Sequence, residues 1–235
     1  MPNSVLCASV SKHRGEDSAK PDCSRVAGVA GYAKGNSVID DLDESLKALL
    51  RESLTPAISE QVSVSFAAPD DEFHAAVTLP AVDLFLYDIR ENTELRSNDE
   101  YIERLGDGTG LRLRAPVRVD ASYLITAWSG TSDRDKSVDE HRLLGEVMRA
   151  LLRHRTLPRN VLKGSLAGQL LPLPVTTLQP GRLQSLGEFW QALGGKPKAA
   201  LNYTVTFAVE SFEAEAVTLV TDKTIRIEVG AGALP

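Results

Sequence analysis

The sequence predicts an α+β fold in which a largely antiparallel or mixed sheet is packed by about three helices. Three segments repeat apolar residues at helical spacing. About six others alternate or run continuously apolar, as strands do. Helices and strands do not alternate strictly along the chain, which favours α+β over a parallel α/β sheet.

Each predicted helix opens with the Ser-x-x-Asp/Glu spacing of a capping box, at Ser37/Asp40, Ser137/Glu140 and Ser185/Glu188. The first helix carries a leucine stripe and ends before Pro56. The second covers about residues 137–154. The third is short and ends at the glycine pair 194–195. All three are predicted to face a core.

Strands are predicted at about 61–66, 81–89, 111–119, 121–128, 201–210 and 217–228. Pro116 suits a sheet edge or a bulge. The last two strands are expected to pair with each other as an antiparallel hairpin. Trp128 and Trp190 are expected to be core anchors rather than interface residues.

The domain organisation predicted is a flexible tail, residues 1–36, followed by a single domain, residues 37–235. The tail is rich in small and polar residues and sustains no structural period. Residues 91–110 are expected to form a long loop, and residues 160–181 an extended connector. Both are candidate partner-contacting segments.

Bulk composition excludes some classes of partner. The net charge of −6 provides no global attraction to nucleic acid or anionic lipid. No apolar run approaches the roughly 20 residues that cross a bilayer, and no secretory signal is recognisable, so we expect a cytoplasmic protein without membrane insertion. Cys7 and Cys23 could form a disulfide or half a metal site, but two free thiols in a reducing compartment are the simpler interpretation.

No catalytic or cofactor-binding residues are predicted. His13, His74, His141 and His154 lack the neighbours of a nucleophile–base pair, and no phosphate-binding loop has the required spacing. The acidic groups 40–44 and 139–141 could be considered for metal, but carboxylates in a first helical turn are explained by the helix dipole.

Arginines are the candidate interface residues. Arg112, Arg114 and Arg118 alternate with apolar residues and are expected to share one side of a strand. Aromatic residues do not interleave with them, so nucleic-acid binding is not predicted. Arg90, Arg96, Arg112 and Arg114 are expected to contact an acidic protein partner, the alternative being simple exposure to solvent.

Several strings, in order, resemble landmarks of one family: residues 37–50, 80–92 with Leu95 and Arg96, 123–128, 140–145 and 201–207. Over about residues 37–210 the chain resembles the tail-cap, or tail-terminator, proteins of extracellular contractile injection systems, such as those of the antifeeding prophage and the Photorhabdus virulence cassette. The residues before 37 depart from the compact family pattern.

The resemblance implies a structural role and a fold similar to phage tail terminators. It implies a hexameric ring at the distal end of the tail, bound to the inner tube and the sheath, which ends polymerisation and anchors the sheath. Such a protein is cytoplasmic during assembly and then part of a particle that is released or retained. It implies no enzyme activity. Two other classes stay open from the residues alone: a monomeric protein-binding adaptor, and an enzyme with an unrecognised site.

Overall fold

The computed structural model describes residues 37–70, 72–105, 108–130, 136–179, 185–194, 196–219 and 225. The predicted tail, residues 1–36, lies outside this range, as do Cys7, Cys23 and His13. The helices are α1 (Val38–Ser53), α2 (Pro56–Ser59), α3 (Phe73–Ala76), α4 (Lys136–Leu152), α5 (Gly164–Ala167) and α6 (Leu186–Ala192). Short 3-10 helices span Thr93–Leu95 and Arg159–Val161.

The strands are β1 (Ser63–Ser65), β2 (Ala81–Glu91), β3 (Glu100–Arg104), β4 (Thr109–Arg114), β5 (Val117–Trp128), β6 (Val175–Thr177), β7 (Ala200–Val209) and β8 (Glu215–Thr218). They form a five-stranded sheet in the order β1-β2-β5-β7-β6 and a three-stranded sheet in the order β3-β4-β8. Only the β1–β2 pairing is parallel among the described strands. The α+β class and the mixed, largely antiparallel sheet are therefore confirmed.

The main core lies between one face of the five-stranded sheet and helices α1 and α4. Helix α1 begins with the predicted capping box: the Ser37 hydroxyl accepts from the Asp40 amide, and the Asp40 carboxylate accepts from the Ser37 amide. Its leucine stripe is almost fully buried. Val147 and Leu151 of α4 join the same cluster as Val82 and Leu84 of β2. The helical period of the leucines thus gives the layer that covers the sheet.

Helix α4 was predicted in the right place but with the wrong start. The helix already includes Lys136, so Ser137 lies inside its first turn rather than at the cap. The carboxylate of Glu140 accepts a hydrogen bond from the Ser129 amide and forms an ion pair with Lys198. A capping-box spacing was present, but the acidic residue is used in a tertiary contact.

Helix α6 matches its prediction closely. The Ser185 hydroxyl accepts from the Glu188 amide at the start, and Gly194 after the end has a φ of +69°, which favours glycine. Trp190 of this helix and Trp128 of β5 are both buried, as expected of core anchors.

The predicted loop 91–110 is wrong in its centre. Residues 100–104 form β3, which pairs with β4 from Glu100↔Arg114 to Arg104↔Gly110. All five residues of β3 are exposed. Neither face of the strand is buried, so its sequence does not alternate between apolar and polar residues, which is the pattern that predicts a strand. The segment is an exposed hairpin that starts a second sheet.

The predicted strand 111–119 is also corrected. Ala115 and Pro116 separate β4 from β5, and the two strands belong to different sheets. Proline cannot donate to a ladder, which explains the break. Arg118 consequently lies in the five-stranded sheet, where it is buried and donates to the Pro172 carbonyl. It does not share a strand face with Arg112 and Arg114.

The last two strands do not pair with each other. Strand β7 pairs with β5 and β6, whereas β8 pairs with β4 from Arg112↔Glu215 to Thr109↔Thr218. The predicted hairpin is therefore wrong, and β8 instead completes the three-stranded sheet. Most of the predicted extension of this strand to residue 228 lies outside the described residues.

The connector 160–181 is not extended throughout. It contains a 3-10 turn, helix α5 and strand β6, and its last two residues fall outside the described part. Val161, Leu162, Leu166 and Leu173 are buried in the main core. Its prolines and glycines permit close turns between these buried residues, so the segment packs against the main core as part of the domain.

Candidate functional site

Arg90 and Arg96 lie near the end of β2, and both are already paired. Arg90 forms a two-pronged ion pair with Asp88, with N–O distances of 2.6 and 2.8 Å. Arg96 also forms a two-pronged ion pair, with Glu91, in which both N–O distances are 2.6 Å. The pKa of Glu91 is lowered, mainly by the hydrogen bond from Arg96. The carboxylates fix the direction in which these exposed cations project.

Arg112 and Arg114 project from the same face of β4, so the structure brings these two predicted residues together. Arg114 contacts Glu100 of β3 at 3.2 Å, and its guanidinium lies 5.2 Å from the ring centre of Phe212. Arg112 pairs with Glu215 of β8 and reaches Glu100 at 3.9 Å. These contacts form a cross-strand ladder that links all three strands of the small sheet.

The three-stranded sheet also exposes apolar side chains. Tyr101 is 57% exposed, and Ile102 and Phe212 are about half exposed. Ile102 is paired with Arg112, and its side chain lies diagonally beside Gly110, where an added Cβ would approach the Ile102 Cγ2 to 2.8 Å. Tyr101 and Ile102 are consecutive residues of β3, so their side chains lie on opposite faces of the small sheet. Each face therefore exposes some apolar area that another molecule could contact.

A second group of cations was missed by the sequence analysis. We define the basic ridge as Arg153, Arg155, Arg159 and Lys163, all exposed, in the segment that follows α4. None of the four has a carboxylate partner among the described residues; Arg153 donates to the Ser53 carbonyl and Arg159 to the Leu170 carbonyl. A signal was available: no Asp or Glu occurs between Glu146 and Glu188.

Exposed leucines accompany the basic ridge. Leu170 is 88% exposed, and Leu152 and Leu171 are about half exposed. Beside them a shallow cavity of about 190 Å³ is lined largely by leucine and proline side chains, including Leu157 and Pro172. Cationic and apolar groups therefore occur together on one stretch of surface, as in protein interfaces.

A half-buried ion pair joins α4 to the segment just before β7. The Lys198 ammonium lies 2.8 Å from Glu140 and 3.7 Å from the ring centre of Trp128. Burial lowers the pKa of Lys198, and the hydrogen bond to Glu140 opposes that shift. A cavity of about 120 Å³ adjoins the pair and is also lined by His141. We interpret this group as a packing anchor, since it is satisfied within the fold.

His74 lies beside this same group. Its ring meets Trp128 edge-on, and its Nε2 is 3.2 Å from the Lys136 ammonium. Its pKa is lowered by burial and then by the charges of Lys136 and Lys198. The neutral ring is the form that suits this contact. His154 lies beyond the end of α4 with its Nε2 3.4 Å from the Ser53 hydroxyl.

The acidic group at the start of α1 is used for structure. Asp40 completes the cap, and Asp41 accepts from both the amide and the hydroxyl of Ser165, at 2.8 and 2.7 Å. Asp43 accepts from the Tyr123 hydroxyl at 2.8 Å. The described residues contain no group of three or more potential metal ligands, and no described helix is long and apolar enough to span a membrane.

Asp83 is the most unusual carboxylate of the five-stranded sheet. It lies on β2, is fully buried, and forms no well-aligned hydrogen bond among the described residues. Burial raises its pKa to about 8, and the nearby Ser65 hydroxyl opposes part of that shift. The group is therefore mostly protonated at neutral pH, which avoids an unpaired charge in the core.

Two solved structures resemble this fold over most of its length. One is the cryo-EM structure of the sheath/tube terminator of PVC, an extracellular contractile injection system, in the extended state: the TM-score is 0.63 with 27% identity over 84% of this chain. The other is the tube terminating cap of the anti-feeding prophage, with a TM-score of 0.57 and 28% identity over 82% of this chain. The chain spans 66% and 62% of those proteins' lengths.

No curated protein matches the chain. A family does: the sequence profile described as the Pvc16 N-terminal domain matches residues 41–221, which includes both sheets, all but the first three residues of α1, and helices α2 to α6. The match covers most of the chain. The protein therefore belongs to the family of the Pvc16 N-terminal domain.

Proposed function

We propose that this chain is a structural cap that terminates the tail of a contractile injection system. The observation that carries the proposal is the fold similarity to a sheath/tube terminator and to a tube terminating cap, each at more than 25% identity over more than four fifths of the chain. Both neighbours are structural parts of particles, so the proposed role requires no catalytic step and no cofactor.

In this proposal six copies form a ring at the distal end of the tail. The ring closes the inner tube, contacts the last layer of sheath, stops polymerisation and anchors the sheath. Rings of identical chains need head-to-tail contacts, in which two different surfaces of each copy meet. Assembly takes place in the cytoplasm, and the chain then remains in the particle, whether that particle is released or retained.

The architecture supports a role in assembly. A domain with a large buried core carries a small sheet whose outer strands, β3 and β8, are largely exposed, so one part can hold its shape while the other makes contacts. Arg112 and Arg114 of that small sheet, together with Arg90 and Arg96, are proposed to lie at such contacts. Each is held in place by a carboxylate of its own chain, which limits the entropy lost on binding.

The proposal is tested by expressing the chain with the tube and sheath proteins encoded beside it and imaging the particles by electron microscopy. We expect density for a six-fold ring at one end only. Without the chain we expect tubes that are longer or open at that end. The matched control expresses a chain with Leu46→Asp, which places a charge in the core and removes the folded domain.

Particles of normal length and normal ends without the chain would contradict the proposal. A chain that binds one particle protein tightly as a single copy, away from the tube end, would instead indicate an adaptor. Its stoichiometry in purified particles, measured by quantitative mass spectrometry, separates these outcomes, because a ring requires several copies per particle end.

A further inference from the structure

We infer that strand β3 of one copy pairs antiparallel with β3 of a second copy, so that the free chain forms a two-fold dimer through the edge of the small sheet. This contact is independent of the proposed function, because it concerns the chain outside any particle. It is supported by the open edge of β3, by the direction of the backbone groups along that edge, and by the self-complementary sequence of the strand.

Strand β3 lies at the edge of its sheet. The strand order is β3-β4-β8, so β3 pairs with β4 on one side and with no described strand on the other. All five residues, Glu100–Arg104, are exposed. The strand contains neither proline nor lysine, the residues that most often protect such an edge, and its charges have both signs. Its unpaired backbone groups are therefore open to another strand.

The hydrogen bonds at the two ends of β3 show which backbone groups face the open edge. The Ala115 amide donates to the Asp99 carbonyl, and the Leu105 amide donates to the Thr109 carbonyl. Because backbone groups alternate in direction along an antiparallel strand, the odd-numbered residues of β3 direct their amides and carbonyls toward β4. The amides and carbonyls of the even-numbered residues therefore point to the open edge; these residues are Glu100, Ile102 and Arg104.

One antiparallel register of two β3 strands uses all of these groups and joins opposite charges. In this register Ile102 lies opposite Ile102 of the second copy, and Glu100 lies opposite Arg104 of the second copy at both ends. Each of the three pairs can exchange two backbone hydrogen bonds. A shift by one residue would place the open groups opposite groups that already bond to β4. A shift by two residues would leave only two such pairs, and a shift by four would oppose like charges.

The charged side chains suit the same register. Arg104 forms no ion pair among the described residues, so its guanidinium is available to Glu100 of the second copy. Glu100 contacts Arg114 at 3.2 Å and Arg112 at 3.9 Å within its own chain. A carboxylate has room for several donors, so it can accept from Arg104 as well. The pairing would thus extend the cross-strand ladder of the small sheet into the second copy.

The apolar side chains gain from the same contact. Ile102 is 51% exposed in the single copy, and in the dimer the two Ile102 side chains would cover each other on one face of the sheet. On the opposite face, Tyr101 would lie opposite Glu103 of the second copy and could cover the aliphatic part of that side chain. Neither face would bring like charges directly together.

A second copy is favoured as the occupant of the edge because the strand complements itself about its own centre. Such a contact uses the same surface on both copies and closes after two, so it gives a dimer and cannot be the head-to-tail contact of the proposed ring. Five residues on each side form a small interface. We therefore expect a weak dimer that dissociates on dilution.

The test is a disulfide bond across the two-fold axis. In a background that carries Cys7→Ser and Cys23→Ser, the substitution Ile102→Cys places one thiol opposite its own equivalent. The Cα atoms of a hydrogen-bonded antiparallel pair lie about 5.5 Å apart, a separation that a disulfide spans. The purified chain, oxidised at high concentration, should be trapped mostly as a covalent dimer on a non-reducing gel.

Tyr101→Cys in the same background is the matched control. Tyr101 is adjacent to Ile102 and is 57% exposed, but in the inferred register its own equivalent lies on the diagonal. A diagonal separation of roughly 7 to 8 Å is too long for a disulfide, so this variant should give little covalent dimer. A mixture of Tyr101→Cys and Glu103→Cys chains should cross-link to each other, because these positions are directly opposite.

Sedimentation equilibrium measures the contact without a cross-link. Arg104→Glu places a glutamate opposite Glu100 at both ends, so the dimer dissociation constant should rise at least about tenfold. Arg155→Glu is the control, because Arg155 is exposed and lies in a different segment. It should leave the dissociation constant unchanged. Circular dichroism melts verify that both variants fold.

Equal dimer yields from Ile102→Cys and Tyr101→Cys, or no covalent dimer from either, would overturn the inference. Cross-linking of Ile102→Cys to a tube or sheath protein but not to a second copy would also overturn it, since the edge would then have a different occupant. All of these measurements use the purified chain or its mixture with one particle protein. Particles that assemble normally without the chain would therefore refute only the proposed function.

Discussion

The five-stranded and three-stranded sheets of this chain differ in what stabilises them. Residues 121–128 of β5 are all buried, whereas the five residues of β3 are all exposed. The large sheet is stabilised by burial against α1 and α4. The small sheet is linked by ion pairs across its strands and buries little. Burial gives one sheet its stability, and exposure leaves the other available for contacts between molecules.

The largest expected effect is in the core of the five-stranded sheet. Leu46→Ala removes a side chain that is 1% exposed, and we expect the free energy of unfolding to fall by about 2 to 5 kcal/mol. Urea denaturation measures this loss. The matched change in the small sheet, Ile102→Ala, should alter it much less. Equal losses at the two positions would break the distinction between the sheets.

Asp83→Asn tests a charge inside the same core. The folded-state pKa of about 8 lies above the unfolded value near 3.8, so the wild type loses stability as pH rises through this window. The Asn variant lacks that loss. We expect it to exceed the wild type by about 5 kcal/mol at pH 8 and by little near pH 4, measured by denaturation across pH.

Asp88→Asn on the same strand is the control, because Asp88 pairs with Arg90 at the surface. Wild-type and Asp83→Asn stability curves that run parallel across pH would show that Asp83 is not held in its protonated form.

A smaller effect is expected where the connector joins the core. Gly164 has a φ of +50°, and an added Cβ would overlap the Asp41 carboxylate, which accepts two hydrogen bonds from Ser165. We expect Gly164→Ala to lower the free energy of unfolding by about 1 to 3 kcal/mol. Gly145→Ala in α4, where nothing lies within 4 Å, is the control and should not destabilise. If Gly164→Ala leaves the free energy of unfolding unchanged, the connector can move away from α1.

The smallest effect on unfolding is expected for Arg112→Gln in the small sheet. Exposed ion pairs contribute little to stability, so the denaturation midpoint should stay nearly unchanged. Hydrogen exchange should nevertheless accelerate in β3 and β8, because Arg112 links Glu100 and Glu215. If amide exchange in β3 and β8 stays as slow as in the wild type, then the backbone hydrogen bonds alone stabilise the small sheet.

Prediction from sequence succeeded where burial of one face requires apolar residues at a regular spacing. The leucines of α1, the continuous apolar run of β2 and the caps of α1 and α6 were all identified. It failed for β3, whose Glu-Tyr-Ile-Glu-Arg sequence has no buried face. Of the four predicted interface arginines, Arg112 and Arg114 share a face, and partner contact at any of the four stays a prediction.

The sequence by itself determined the fold class, the three longest helices (α1, α4 and α6) and the central strands, because amphipathic spacing and local caps act within a few residues. Only the tertiary structure decided that β8 pairs with β4, that Arg118 is buried apart from Arg112, and that Arg153 and Arg159 after α4 donate to backbone carbonyls. These outcomes depend on which distant strands and carboxylates come into contact. Contacts between distant residues produce no regular spacing of residue types along the sequence, so a sequence pattern does not predict them.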